Sequence, residues 1–147
     1  MYGTLLVPTD GSPGSSEAAK AAIELADRFD ATVHALFVID ERHVPTEFDL
    51  PVEAAEREGE QAVEEIERLG ADLGVSVEKH LRRGVPSTEI LEAIDAYPAE
   101  MVVMGTHGRT GLERLVHLGG VTEHVIRASP VPVVTIPIHS EDGSSER

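Results

Sequence analysis

Five glycines fall between residues 105 and 120, and one acidic turn, Asp10-Gly11-Ser12, follows the first apolar run of the chain. These are the residues whose types and spacing suit a chemical task. The segment Gly105-Thr106-His107-Gly108-Arg109-Thr110-Gly111 leads through Leu112–Leu118 to Gly119-Gly120. Glycine lets backbone N–H groups approach an anion closely. Gly119-Gly120 stands where a helix implied by Val121 and Val125 should begin, and a helix N-terminus offers unpaired donors and a positive dipole end. From Gly105 to Arg127, Arg109, Arg114 and Arg127 are set against Glu113 and Glu123, one positive charge in excess, in a chain of net charge −15. That window suits an anionic ligand; the competing reading is a plain flexible connection with its histidines solvated. Asp10 has two compatible readings: a carboxylate for a ribose hydroxyl or Mg²⁺, or ordinary Asp-Gly-Ser turn chemistry.

Other chemistries find no support. There is no G-x-x-x-x-G-K-[ST] and no G-x-G-x-x-G. Ser12 is not in a G-x-S-x-G elbow. His107 shows no oriented partner or nucleophile nearby in sequence, so no catalytic residue is assigned. His117 and His124 are seven apart without a third ligand, and the seven histidines form no metal spacing. Cysteine is absent, which removes disulfides, thiolate metal sites and a Cys nucleophile.

These residues need a scaffold. The chain has 147 residues, one domain's worth. Five β-rich runs are predicted: Leu5–Val7, Thr32–Ile39, Val75–Leu81, Met101–Met104 and Val131–Ile138. Pro132 and Pro137 send the last to a sheet edge or end it early. Between them lie helical stripes. Ala19, Ala22, Ile23, Ala26 and Phe29 form one, capped by Ser15 or Ser16. Ala55, Ala62, Val63, Ile66, Leu69 and Leu73 form a second, whose other face carries seven glutamates and reads as solvated. Ile90, Leu91, Ile94 and Tyr97 follow Pro86-Ser87, and Val121, Val125 and Ala128 precede Pro130. Strands alternating with helices imply an α/β fold, a doubly wound five-stranded parallel sheet with helices on both faces. Its ligands bind at the strand C-terminal ends, where strand order reverses. Residues Asp40–Leu50 read as a long loop and His139–Arg147 as a disordered acidic tail beyond a 1–138 domain.

Twelve bases against 27 acids repel nucleic acid and anionic lipid. Aromatics are only 3 %, too few for a base-stacking platform. Ten of the twelve bases are Arg and only Lys20 and Lys79 are Lys; with so many carboxylates, this is the surface style of high-salt cytoplasms. No apolar run approaches a membrane span, and no basic segment with a long apolar stretch opens the chain, so a cytoplasmic protein is expected.

The chain resembles the universal stress protein family, of its small single-domain nucleotide-binding kind, over residues 3–138. The resemblance rests on Val7-Pro8-Thr9-Asp10-Gly11-Ser12, on Gly84-Val85-Pro86, on the glycine loop and on Ser129-Pro130-Val131-Pro132-Val133-Val134. It implies strand order 3-2-1-4-5, a homodimer through the last strands (Val131–Ile136), and a stress-response regulator holding ATP with Mg²⁺ between strands one and four. Asp10 would face ribose or metal, and the Val38 backbone would meet adenine. Gly105, His107, Gly108, Gly119, Gly120 and Thr122 would surround ribose and phosphates, with Pro8, Thr9, Met104, Arg109 and Val121 completing the cofactor contacts. The family's loop pattern is G-x2-G-x9-G-[ST]; here ten residues separate Gly108 from Gly119, and Gly120 occupies the hydroxyl position. The extra residue is expected to bulge at Leu115–Leu118. The missing hydroxyl removes a donor worth on the order of 1 kcal/mol, for which Thr122 would substitute. Turnover would be at most slow ATP hydrolysis, with no general base or arginine finger in the motif. The alternative is a dimeric interaction protein of the same fold that binds no nucleotide. A nucleotide-alpha-hydrolase would need a Ser-Gly-Gly-x-Asp-Ser loop, which Gly11-Ser12-Pro13-Gly14 is not.

Overall fold

The computed structural model describes residues 2–43, 49–106 and 120–137. In chain order the elements are β1 (Thr4–Thr9), α1 (Pro13–Phe29), β2 (Thr32–Asp40), a 3₁₀ turn (Glu41–His43), α2 (Asp49–Leu73), β3 (Val77–Gly84), α3 (Pro86–Ala96), β4 (Met101–Gly105), α4 (Gly120–Ala128) and β5 (Val133–Ile136). The strands form one parallel sheet in the order β3-β2-β1-β4-β5. Strand order therefore reverses between β1 and β4.

Alternation along the strands divides the core in two. Leu5, Val7, Val33, Ala35, Phe37 and Val103 pack with Ile23 of α1 and Val63 and Ile66 of α2. Leu6, Leu36, Val102 and Met104 point the opposite way, onto Ile90 and Ile94 of α3 and Val125 of α4. A run such as Leu5-Leu6-Val7 is apolar throughout because both faces are covered. Gly70 sets how closely α2 lies on the sheet: a Cβ there would stand 2.7 Å from Val77 Cγ2 and 2.9 Å from the Val75 carbonyl oxygen.

Several boundaries differ from the sequence reading. Helix α1 starts at Pro13 with Ser12 at the N-cap position, not at Ser15 or Ser16. Proline's fixed φ and missing N–H suit the first helical position, and Ser15 is then free to serve the preceding turn. Strand β3 begins at Val77 and runs on to Gly84. The expected Asp40–Leu50 loop is shorter: Asp40 ends β2, the next three residues form the 3₁₀ turn, and α2 has begun by Asp49. Leu73, expected on the buried stripe, is exposed at the end of α2. The edge placement of β5 agrees with its flanking prolines. The tail His139–Arg147 lies outside the described residues.

Candidate functional site

The crevice between β1 and β4 has a local cause. Gly3 gives its carbonyl to the Thr32 N–H on the β2 side, and Thr4 gives its carbonyl to the Glu100 N–H on the β4 side. Backbone direction alternates along a strand, so Leu6 and Pro8 also face β4. Pro8 has no N–H to extend that ladder. Pairing of β1 with β4 accordingly stops at Leu6–Val102, whereas pairing with β2 continues to Thr9–Phe37. The two central strands part where Pro8 sits, with Met104 and Gly105 at the end of β4 across the gap.

The floor beside β1 is the Asp10 turn. Asp10 Oδ1 accepts from the Ser12 N–H at 2.9 Å and from the Ser15 hydroxyl at 2.7 Å. The Asp10 N–H donates to Ser15 Oγ at 3.3 Å, and the Gly11 N–H to Thr9 Oγ1 at 3.1 Å. Gly11 takes φ 82°, a left-handed conformation that costs glycine nothing. The turn reading of Asp10 is thus realised, and the carboxylate is held at the N-terminus of the 17-residue α1, where a negative charge is favoured.

Across the crevice, α4 starts at Gly120. Among the described residues, a Cβ on Gly120 would meet nothing within 4 Å. The buried Thr122 hydroxyl donates to the Gly105 carbonyl at 2.9 Å, tying the first turn of α4 to the end of β4. Thr106 N–H donates to the Ile136 carbonyl and continues the tie to β5. Val121 is half-buried beside Gly120, and Val38, near the end of β2, packs on the α3–α4 side. The structure thus gathers Pro8, Thr9 and Asp10 on one wall and Met104, Gly105, Gly120, Val121 and Thr122 on the other. His107, Gly108, Arg109 and Gly119 lie outside the described residues, as does the expected bulge at 115–118.

A groove of about 210 Å³ adjoins the Asp10 turn between α1 and α2, lined by Thr9, Ser12 and Ser15 together with Glu58 and Glu65. Its two carboxylates oppose phosphate, and it is smaller than the roughly 300–1,000 Å³ of sites that enclose a whole cofactor. The anion-suited wall is therefore the α4 side. For Mg²⁺, the turn offers one carboxylate among hydroxyls. That donor set fits an ion carried in by phosphates, since Mg²⁺ is held by one or two carboxylates and keeps its other oxygens from substrate and water.

A second polar cluster was invisible in the sequence. On the α3 side of β2 and β3, His34 Nδ1 and His80 Nε2 lie 2.9 Å apart, one nitrogen donating to the other. Tyr97 stacks on His80 with ring centroids 3.8 Å apart. Arg82 donates to Glu89 at 2.8 Å and to Glu92 at 3.3 Å. Burial pushes the His80 imidazole below its ordinary value; the charges of His34 and Arg82 push the same way and Glu78 opposes them. The hydrogen bonds to Glu89 and Tyr97 raise the Arg82 guanidinium further. Only strand register could have revealed this set, because 46 residues separate the two histidines.

Residues 1–137 match the model of the universal stress protein family. Universal stress protein MJ0531 of Methanocaldococcus jannaschii is 39 % identical over 141 residues, spanning 92 % of this chain and 82 % of that protein. The structure of MJ0577 from the same organism superposes with a TM-score of 0.80 at 30 % identity, covering 96 % of this chain and 99 % of that one. Universal stress proteins solved with cAMP, and from Archaeoglobus fulgidus with dAMP, share the fold at TM-scores of 0.75 and 0.68 and at 23 % and 22 % identity; they span 94 % and 92 % of this chain, and 99 % and 98 % of theirs. No helix among the described residues is long and apolar enough to cross a membrane. With its fold, its strand order and its sequence in agreement from end to end of the sheet, the chain belongs to the universal stress protein family.

Proposed function

We propose that this protein is a nucleotide-binding regulator that takes ATP with Mg²⁺ into the β1–β4 crevice and works as a homodimer in the stress response. The observation that carries the reading is the strand end opened at Pro8 facing the N-terminus of α4, which Thr122 ties to the end of β4. Polyphosphate would lie on the N–H groups of Gly120, Val121 and Thr122, joined by the glycines at 105, 108 and 119 and by His107 and Arg109. Asp10, already oriented by Ser12 and Ser15, would hold the ribose or Mg²⁺, and the Val38 backbone would face adenine. Relatives of the same fold that bind cAMP and dAMP support an adenine nucleotide as the ligand class. Hydrolysis, if it occurs, is slow, because the ion and the backbone donors stabilise phosphate charge without a placed base.

The dimer reading has its own support. Among the described residues β5 pairs only with β4, and its four residues are half-buried. An uncovered edge strand is a template for pairing with another chain, and a second copy's β5 is the occupant proposed. Calorimetric titration with Mg-ATP in molar KCl tests nucleotide binding. Saturable heat near one ATP per chain is expected; no heat at millimolar ligand would leave the dimeric interaction protein as the function.

A further inference from the structure

We propose a metal site at the β2–β3 end of the sheet, in which His34, Glu78 and His80 together take a divalent first-row transition cation of the Zn²⁺ class. His34 lies in register with Glu78, and Leu36 with His80. Period-two alternation therefore puts all three side chains on the α3 face. One ligand atom from each lies within 4.8 Å of the other two. The two imidazole nitrogens are 2.9 Å apart, and His34 Nδ1 is 3.9 Å from Glu78 Oε1. Ligands at about 2.0–2.1 Å from a tetrahedral Zn²⁺ stand about 3.3 Å from each other. The histidine pair must open by a few tenths of an ångström, and Glu78 must close by more than half an ångström, which rotation of its exposed side chain allows. The ring that now donates to its neighbour moves its proton to its other nitrogen through solvent, which leaves two lone pairs facing the ion.

Charge and access agree. Arg82, Glu89 and Glu92 line the same face; counted with Glu78 they are one cation against three carboxylates, and Arg82 is already satisfied by Glu89 and Glu92. β3 is an edge strand and the Glu78 side chain is 62 % exposed, so an ion can enter from solvent. Tyr97 stacks on both rings, with centroids 3.8 Å from His80 and 5.4 Å from His34, and so fixes the orientation of the pair. Two imidazoles and one carboxylate select Zn²⁺, Co²⁺ or Ni²⁺ over Mg²⁺ and Ca²⁺, and three protein ligands leave a fourth position open.

The test is a titration of the full chain, free of nucleotide, with Co²⁺ followed by its visible absorption and by displacement with Zn²⁺. Imidazole ¹⁵N shifts are recorded in parallel. One tight ion per chain, with the facing ring nitrogens of His34 and His80 shifting on binding, is expected. Glu78→Gln should weaken affinity at least about 10-fold and His80→Gln about 100-fold. Glu78 is exposed, so its variant keeps the fold and carries the test even where His80→Gln unfolds. Unshifted His34 and His80 ring nitrogens at saturating metal, or Co²⁺ affinity unchanged in Glu78→Gln, would overturn the proposal.

Discussion

Asp10 does two jobs that one substitution can separate. Its Oδ1 closes the turn onto Ser12 and Ser15, a task that an amide oxygen performs equally well. Its negative charge would matter only to the proposed ion and ribose. Asp10→Asn should therefore change the urea midpoint little, with stability within about 0.5 kcal/mol of the parent, while Mg-ATP affinity falls about 10-fold and Mg-free affinity hardly changes. Titrations with and without Mg²⁺ make the comparison. His80 gives a second residue-scale prediction. Its folded-state pKa is lowered by burial, so the unfolded chain binds the proton first. Stability from this group is complete above the unfolded value of about 6.5 and declines as pH falls below it. In chelator, denaturation at pH 7.5 and 5.5 should show the parent losing more stability than His80→Gln; equal losses would refute the assignment. Asp10 was legible in the sequence because its turn is local. The His34–His80 pair was not, because it exists only once β2 and β3 are in register.

Elements were the most legible level. The five β-rich runs and four helical stripes all stand in the structure, since strands covered on both faces, such as β1 and β4, must be apolar and helices on them must repeat by three and four. Ends were less legible: Pro13, not a serine, decided where α1 begins, and Leu73 followed the stripe yet is exposed at the end of α2. The contact made by Gly70 could not be read at all, since a glycine inside a helical period looks like a flaw until the strand beneath it is known. Gly70→Ala should cost about 1–3 kcal/mol by overpacking against Val77 and the Val75 carbonyl, measured by urea denaturation. On β5, the Ile136 carbonyl is turned to β4, where it meets the Thr106 N–H. Alternation then turns Thr135 outward. Thr135→Pro removes an outward donor and leaves the β4–β5 ladder intact. It should convert a dimer to a monomer in sedimentation analysis with its thermal midpoint for the monomer fold retained; a persistent dimer would place the interface elsewhere.

At the scale of the whole molecule, a net charge of −15 must be reconciled with the polyphosphate ligand proposed. The fold reconciles them by distance and direction. The glutamates belong to α2, which packs with α1 on one face of the sheet, while α4 packs on the opposite face. Salt screens the remaining long-range repulsion, which is why nucleotide affinity is best measured in molar KCl. The position of the crevice follows from topology alone, since only between β1 and β4 does the order reverse. The sequence carried the alternation from which the sheet follows and, through its resemblance to a family, the strand order; the wall contributed by Thr122 and Gly105 needed the folded chain. The most direct measurement is a backbone amide NMR titration with Mg-ATP. Saturable shifts are expected at Asp10–Ser15, at Gly105-Thr106 and at Gly120–Thr122, with His34 and His80 unmoved. Amides unchanged at both ends of β1 and β4 under millimolar Mg-ATP, or shifts confined to the α1–α2 groove at Glu58 and Glu65, would contradict it.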